Sequence, residues 1–250
     1  MKRAQIRFYA ELNDFVPPER RFQASEYGFH VSPAVRDAIE SLGVPHTEVD
    51  LILANGESVG FSHAIQDGDY ISVYPVFESL DITPLEKLRP RPLRQPRFAL
   101  DVHLGRLAAY LRLLGFDALY RNDSSDEELA RLASQGERTL LTRDRGLLKR
   151  SEIVRGYWVR ETSPRLQLEE VLQRFDLASA AAPFTRCLAC NGQLASAAKP
   201  AVAARVPPAV LARHEEFLEC PGCGRVFWKG THWERMSGFI RGLVTQPVRS

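Results

Sequence analysis

Between residues 97 and 150, three short apolar runs alternate with segments of helical spacing. The runs cover residues 98–100, 118–120 and 139–142, and their length and boundaries are typical of buried strands. Strands that alternate with helices are joined by right-handed crossovers, so the pattern predicts an α/β fold with a parallel sheet.

Two helices are predicted between these strands. The first runs from residue 103 to 114, where leucine and alanine recur at helical spacing, and Gly115 ends it. The second begins with a capping box of Ser125 and Glu128 and ends at Gly136.

An aspartate follows each predicted strand: Asp101 after the first, Asp123 and Asp126 after the second, and Asp144 after the third. The carboxyl ends of parallel strands share one edge of the sheet, where open α/β folds bind ligands, so these carboxylates are expected to meet there. A divalent cation would offset their repulsion, and oxygen ligands favour Mg²⁺ or Mn²⁺, which bind phosphates and activate water. The alternative is that each aspartate caps the following helix, and one aspartate can do both.

Three stretches, ALDVHLGRLAAYLRLLGFD, SDEELARLA and TLLTRDRGL, resemble the Mut-seven C-terminal RNase domain, a PIN-like nuclease family whose α/β core carries a zinc ribbon. The resemblance covers roughly residues 97–240 and implies metal-dependent RNA cleavage. Sites of this type usually have a fourth acid, so the choice between one and two metal ions stays open. By motif position the metal-binding acids are Asp101, Asp126 and Asp144, with Asp123 or Glu127 assisting.

Composition is that of a soluble globular protein, with 44% hydrophobic and 26% charged residues and no apolar run long enough to span a membrane. The N-terminus has no apolar region typical of a signal peptide, so a cytoplasmic location is expected. Charge is uneven: residues 1–82 hold six Lys/Arg against thirteen Asp/Glu, net −7, and residues 83–250 hold twenty-seven against eighteen, net +9. The basic part suits a polyanion such as RNA, although an ordinary solvated surface explains the charge equally well.

The first 82 residues predict a separate unit. Strands are expected at residues 5–12 and around 21–23, then a helix, then a strand, an Asn55-Gly56 turn and further strands. This order predicts a β-grasp fold and is similar to the small sulfur-carrier proteins. Those carriers need a free Gly-Gly end, whereas here the chain continues, so a docking role with an unknown protein partner is the better interpretation. Residues 83–97 then form a basic, proline-rich linker that either lies along RNA or acts as a spacer.

Four cysteines occur as two CxxC pairs, each followed by glycine within two residues. Such pairs hold one Zn²⁺ with four thiolates, which fills the coordination and predicts a structural site. A glycine after each pair lets the chain turn back beneath the metal. The predicted ligands are Cys187, Cys190, Cys220 and Cys223.

The segment after the second cysteine pair, CGRVFWKGTHWERM, also resembles the end of the nuclease family. Its cations and tryptophans suit contact with single-stranded RNA, whereas packing of the rings within the ribbon is the alternative. The predicted nucleic-acid contacts are Lys229, His232 and Arg235, with Arg143 and Arg112 from the core.

The sequence therefore predicts an α/β protein: a PIN-like parallel-sheet core with a C-terminal zinc ribbon, plus an N-terminal ubiquitin-like β-grasp domain. The predicted function is a metal-dependent ribonuclease. The alternatives are a non-catalytic RNA-binding module and an adaptor acting through the β-grasp domain. RNA preference, cleavage direction and oligomeric state are left undetermined. The predicted boundaries are residues 1–82 for the β-grasp domain, 83–97 for the linker, 98–180 for the nuclease core and 181–250 for the ribbon and tail.

Overall fold

The computed structural model describes residues 1–75, 88, 96–231, 233–234 and 236–238. The chain forms two compact units, and each is assembled from two separate segments. The first unit combines Met1–Gln95 with Ser124–Trp158, and the second combines Pro96–Asp123 with Val159–Ser250.

A five-stranded β-grasp sheet forms the N-terminal part of the first unit, with spatial order β2-β1-β5-β3-β4. The two central strands β1 and β5 are parallel, and the remaining pairs are antiparallel. Helix α1 (Val35–Ser41) contributes the buried side chains of Val35, Ala38 and Ile39 to the core. The strands are β1 (Lys2–Phe8), β2 (Ala24–Phe29), β3 (Val49–Ala54), β4 (Glu57–Ser58) and β5 (Tyr70–Pro75).

The first hairpin differs from the sequence prediction. β1 ends at Phe8, because the side-chain amide of Asn13 donates to the carbonyls of Phe8 and Ala10 and folds the chain into a 3-10 turn. Phe22 has a left-handed φ of 60° and donates its backbone N–H to Asn13 Oδ1, so the second strand begins only at Ala24. The Asn55-Gly56 turn is confirmed, with φ of 51° and 89° at its two residues.

The second segment of the first unit contains α3 (Asp126–Gln135), β8 (Thr139–Thr142) and β9 (Gly156–Trp158). The N-cap of the predicted capping box is present, since Ser125 Oγ accepts the backbone N–H of Glu128 at 3.2 Å. β8 and β9 pair in parallel, as the α/β pattern predicts.

The second unit contains another parallel pair, β6 (Arg97–Leu100) with β7 (Asp117–Tyr120). Helix α2 (Gly105–Leu113) joins these strands and packs against α4 (Pro164–Arg174). Gly115 ends α2 with φ of 90°, and a Cβ there would lie 2.2 Å from the carbonyl oxygen of Ala182. The helix stop predicted at Gly115 is thus enforced both by conformation and by the close approach of another segment.

A three-stranded antiparallel sheet completes the second unit, with order β10-β11-β12. Its small core contains Val202, Val206 and Phe217. The elements are β10 (Ala195–Ala197), α5 (Lys199–Val202), α6 (Pro208–Leu211), β11 (Phe217–Glu219) and β12 (Val226–Trp228).

The predicted fold class is confirmed: the protein is a mixed α/β structure with a parallel-sheet core, an N-terminal β-grasp domain and a C-terminal cysteine cluster consistent with a zinc ribbon. Within the described part of the chain, no helix combines the length and the apolar character needed to cross a membrane.

Candidate metal centres and nucleic-acid contacts

The four predicted zinc ligands lie together. Cys187 Sγ is 3.6 Å from Cys223 Sγ, Cys190 Sγ is 3.3 Å from Cys220 Sγ, and all four sulfurs lie within 4.8 Å of one another. None of the four forms a disulfide. Tetrahedral zinc with Zn–S bonds of about 2.3 Å places its sulfurs about 3.8 Å apart, so the cluster has nearly the required geometry.

The two knuckles repeat the same backbone hydrogen bonds. In the first, Cys187 N donates to Gly192 O at 2.8 Å, and Asn191 N donates to Cys187 O at 3.0 Å. In the second, Cys220 N donates to Arg225 O at 2.9 Å, and the N–H of the following glycine, Gly224, donates to Cys220 O at 2.8 Å. Because the two loops have the same backbone shape, each loop directs its two thiols toward the same point.

The residue that turns each knuckle back is not glycine in both cases. Gly224 has φ of 70° in the second knuckle, but in the first Asn191 takes the left-handed conformation with φ of 69°. Asparagine tolerates this region better than other side chains do. Gly192 is favoured for a different reason, since a Cβ there would lie 3.1 Å from Cys220 Sγ, a tight contact.

The donor set fits a structural zinc ion. Burial raises the pKa of the Cys187 thiol to about 12, so this sulfur stays protonated near neutral pH unless a cation compensates for its desolvation. Zinc binds thiolates and releases their protons, and four sulfur ligands leave no open position for a substrate. The cluster can therefore hold zinc as a structural ion.

Arg112 anchors the first knuckle to helix α2. Its guanidinium donates to Ala118 O at 2.9 Å and to Leu188 O and Ala189 O, each at 3.0 Å. The residue is 5% exposed, and burial lowers the pKa of its guanidinium. Arg112 therefore has a structural role in place of the predicted RNA contact, because its buried guanidinium donates to three backbone carbonyls of the protein.

Asn191 adds bonds between the ribbon and β7, and Arg186 bonds to the turn that ends α2. Asn191 Oδ1 accepts the backbone N–H of Ala118 at 3.0 Å, and its amide donates to Asp117 Oδ1 at 2.7 Å. Arg186 donates to Gly115 O at 3.1 Å. None of these three bonds was predicted from the sequence. The one signal was the asparagine after Cys190, a residue type that tolerates the left-handed conformation.

Asp101 lies directly after β6 and is 6% exposed. Asp101 occupies the N-cap position of the 3-10 turn Val102–Leu104. Its side chain forms no capping hydrogen bond to that turn. The capping alternative raised from the sequence is therefore not what the Asp101 carboxyl does.

The acids around the start of α3 are exposed. Asp126 and Glu127 occupy the first turn of the helix, where Ser125 and not an aspartate provides the cap. Asp123 pairs with Arg121, with Nε and Oδ1 3.4 Å apart. Negative charge in a first helical turn is itself stabilising, so these positions also fit the capping interpretation.

Asp144 lies in the loop after β8 and has a local role. Its Oδ1 accepts the backbone N–H of Gly146 at 2.7 Å, and its own N–H donates to Thr142 Oγ1 at 2.9 Å. Among the described residues, the cysteines form the one group of three or more possible metal ligands with all ligand atoms within 4.8 Å. The acid site stays a prediction.

An open groove of 940 Å³ lies in the second unit beside the ribbon. Trp228, Trp233 and Phe184 line it together with Arg186 and Lys229. The ring centroids of Phe184 and Trp233 are 5.0 Å apart, and Lys229 Nζ lies 6.0 Å from the centroid of the Trp233 ring. The groove thus combines rings and cations.

The remaining residues predicted to contact RNA differ in their exposure, and two of them are not described by the structure. Lys229 is exposed and pairs with Glu216, whose pKa it lowers. Arg143 is half-buried just after β8. His232 and Arg235 lie outside the described residues.

Two family models match the chain. One is described as the Mut7-C RNAse domain and matches residues 96–240; the other is described as Mut7-C ubiquitin and matches residues 1–81. Two crystal structures of small archaeal modifier protein 1 from Haloferax volcanii are similar at 17% and 16% sequence identity, each with a TM-score of 0.25. They cover 30% and 31% of this chain and 98% of their own. A search of curated proteins found no match.

We predict that purified protein carries one zinc ion per chain and that Cys220→Ser removes it. Structural zinc contributes binding free energy on the order of 10–16 kcal/mol in small peptides, far more than the three-residue ribbon core can supply. Elemental analysis measures the metal content, with Ser196→Ala on β10 as the control. A zinc-free wild type, or a Cys220→Ser variant with full metal content, contradicts the site.

We predict that Arg112→Gln lowers the free energy of unfolding by about 1.5–3 kcal/mol, because the carbonyls of Ala118, Leu188 and Ala189 lose a charged donor. RNA affinity should be unchanged per folded molecule. Arg165→Gln, which removes an exposed arginine that pairs with Glu169 on α4, is the control and should have little effect. Urea unfolding followed by circular dichroism measures the change, and a stable variant with weakened RNA binding would restore the surface role.

Proposed function

Because the chain belongs to the Mut7-C RNase domain family, we propose that it is a metal-dependent ribonuclease that hydrolyses RNA phosphodiester bonds. The observation that carries the proposal is the match of the RNase-domain model over residues 96–240, which contain every predicted catalytic acid. The buried carboxyl of Asp101, which does not cap the turn after β6, supports it. Buried acids are retained at a desolvation cost that a catalytic role explains.

In the proposed site Asp101, Asp126 and Asp144 hold Mg²⁺ or Mn²⁺, and Asp123 or Glu127 assists. A bound ion of this type supplies an activated water and stabilises charge on the phosphodiester. The exposure of Asp126 and Asp144 supports access for a large polyanionic substrate. Asp126 lies in the first turn of α3, and Asp144 accepts a backbone N–H of its own loop. Both carboxylates therefore start from defined backbone positions.

We propose that RNA also contacts the ribbon groove defined above. The rings of Trp228, Trp233 and Phe184 provide surfaces on which bases can stack, and Lys229 provides a cation for phosphate. The ion pair of Lys229 with Glu216 is exposed, so water and salt screen it and phosphate can replace the glutamate at little cost. His232 and Arg235 belong to the same segment of sequence.

The β-grasp domain is proposed to bind a protein partner, because ubiquitin-like folds present a sheet surface for such contacts. The cytoplasm is the proposed location, since four free cysteines suited to zinc are typical of a reducing compartment.

The second candidate function is a non-catalytic RNA-binding module. It is favoured by one observation, that Asp144 Oδ1 accepts two backbone N–H groups, from Gly146 at 2.7 Å and from Leu147 at 3.4 Å, as a purely structural aspartate would. In that case the ribbon groove and the basic charge would bind RNA without cleaving it.

We predict that Asp144→Asn and Asp101→Asn each reduce cleavage of a short RNA at least about a hundredfold in the presence of Mg²⁺ or Mn²⁺. Asparagine keeps the Oδ1 acceptor of the turn and removes the charge, so the substitution separates metal binding from capping. Asp67→Asn is the matched control, because Asp67 Oδ1 accepts the backbone N–H of Arg3 in a structural role.

The rate of cleavage in each variant, measured on RNA with and without chelator, decides between the two functions. Equal cleavage by wild type and both variants means that neither acid holds a catalytic metal ion. RNA binding without any cleavage, with and without metal, establishes the non-catalytic module.

We predict that Lys229→Gln reduces the slope of log affinity against log salt by about 0.7, the contribution of one phosphate contact to a single strand. Trp233→Ala should weaken binding by about 5- to 150-fold, the range for the loss of one stacked base. Lys199→Gln is the control, since Lys199 forms a comparable ribbon ion pair with Glu215 but does not line the groove. Fluorescence anisotropy at several salt concentrations measures the slope, and equal effects of both lysine variants would exclude the groove.

A further inference from the structure

The loop after β8 is organised around Asp144. Thr142 Oγ1 accepts the N–H of Asp144, and Asp144 Oδ1 accepts the N–H groups of Gly146 and Leu147. These bonds fix the shape of the loop internally. They do not fix its position relative to the rest of the unit, because every partner belongs to the loop or to the last residue of β8.

Arg145 attaches this loop to two aromatic rings. Its guanidinium carbon lies 3.7 Å from the centroid of the Trp158 ring and 5.2 Å from that of Phe15. The two rings, the aromatic clamp, are 5.4 Å apart. Arg145 Nη2 also donates to the backbone carbonyl of Asp14 at 3.4 Å. A planar guanidinium stacks on aromatic faces in a way that an ammonium group does not.

One half of the clamp comes from the β-grasp domain. Phe15 ends the 3-10 turn Ala10–Phe15 and is 6% exposed within the β-grasp core. Trp158 ends β9 and packs against the same core. The loop of Asp144 is therefore held by a part of the chain more than a hundred residues earlier.

Further hydrogen bonds keep the β-grasp domain in place beside β8 and β9. Thr47 Oγ1 donates to Leu148 O at 3.0 Å, and His46 Nε2 lies 2.9 Å from Ile153 O. Glu48 accepts the backbone N–H of Trp158. His46, Thr47 and Glu48 are all at most 4% exposed, so this contact excludes water.

We propose that Arg145 is a positioning residue for the loop that carries Asp144, and that the β-grasp domain takes part in the proposed nuclease site by supplying Phe15 to the aromatic clamp. The catalytic part of this inference rests on the proposed ribonuclease function. The positioning part rests only on contacts within the first unit, so it can be tested even if RNA is not cleaved.

The test uses the full-length chain and three variants. Arg145→Gln removes the cation, Phe15→Leu keeps a buried apolar side chain but removes the ring, and Arg145→Lys keeps the charge without the planar group. Arg131→Gln is the control, because Arg131 lies on α3 and pairs with Gln135 away from the loop. Residue-resolved hydrogen exchange at Gly146 and Leu147 reports the loop, and thermal unfolding reports overall stability.

We expect the amides of Gly146 and Leu147 to exchange about 2- to 30-fold faster in Arg145→Gln and in Phe15→Leu. This range corresponds to the free energy of one lost cation–π interaction. Arg145→Lys should restore part of the protection. In cleavage assays the Mn²⁺ concentration for half-maximal rate should rise at least about threefold in Arg145→Gln, with KM for RNA unchanged, since the loop presents a metal ligand and not the RNA-binding groove.

Wild-type exchange rates at Gly146 and Leu147 in Arg145→Gln would overturn the positioning role. Faster exchange with an unchanged Mn²⁺ requirement would overturn the link to the site. If wild-type protein never cleaves RNA, the proposed function fails, and the exchange rates alone decide whether the clamp holds the loop.

Discussion

The second unit depends on the bonds that join the first cysteine knuckle to the end of α2 and to β7. Arg112 contacts the carbonyls of Leu188 and Ala189, and Asn191 bonds to both the backbone and the side chain of β7 residues. Among the described residues, the ribbon core has three well-buried apolar side chains outside the cysteines. Its attachment therefore relies on the directional bonds of Arg112 and Asn191.

In the first unit, too, two separate segments of the chain are held together by specific contacts. Here the contacts are aromatic and polar, and no cysteine cluster is involved. In the β-grasp domain, Thr47 and His46 of the 3-10 turn His46–Glu48 bond to Leu148 and Ile153, and Trp158 packs against the core. The presence of a ubiquitin-like domain before a Mut7-C RNase family domain thus has a physical rationale inside one chain. The domain packs against the segment that contains a predicted catalytic acid, whatever else it binds.

Local patterns predicted much of this structure. The helix stop at Gly115, the Ser125 cap, the Asn55-Gly56 turn and the cysteine cluster all follow from short-range chemistry that single residues encode. The hairpin was misplaced because Asn13 bonds to nearby carbonyls and ends β1 early, a choice that alternation cannot reveal. Arg112 was assigned to the surface because the sequence of a helix does not distinguish an arginine that faces solvent from one that donates to three backbone carbonyls. The aromatic clamp joins Phe15 to Trp158, and no pattern in a single sequence encodes contacts over such a separation.

The interleaved composition of the two units affects how the chain folds during synthesis. The backbone passes from one unit to the other at residues 95–96, 123–124 and 158–159. The β-grasp sheet can form early, but Trp158, which packs against its core, is added only when residue 158 has left the ribosome. A single proteolytic cut cannot release either unit whole, so a fragment that ends after the β-grasp domain lacks the strands β8 and β9 that complete its unit.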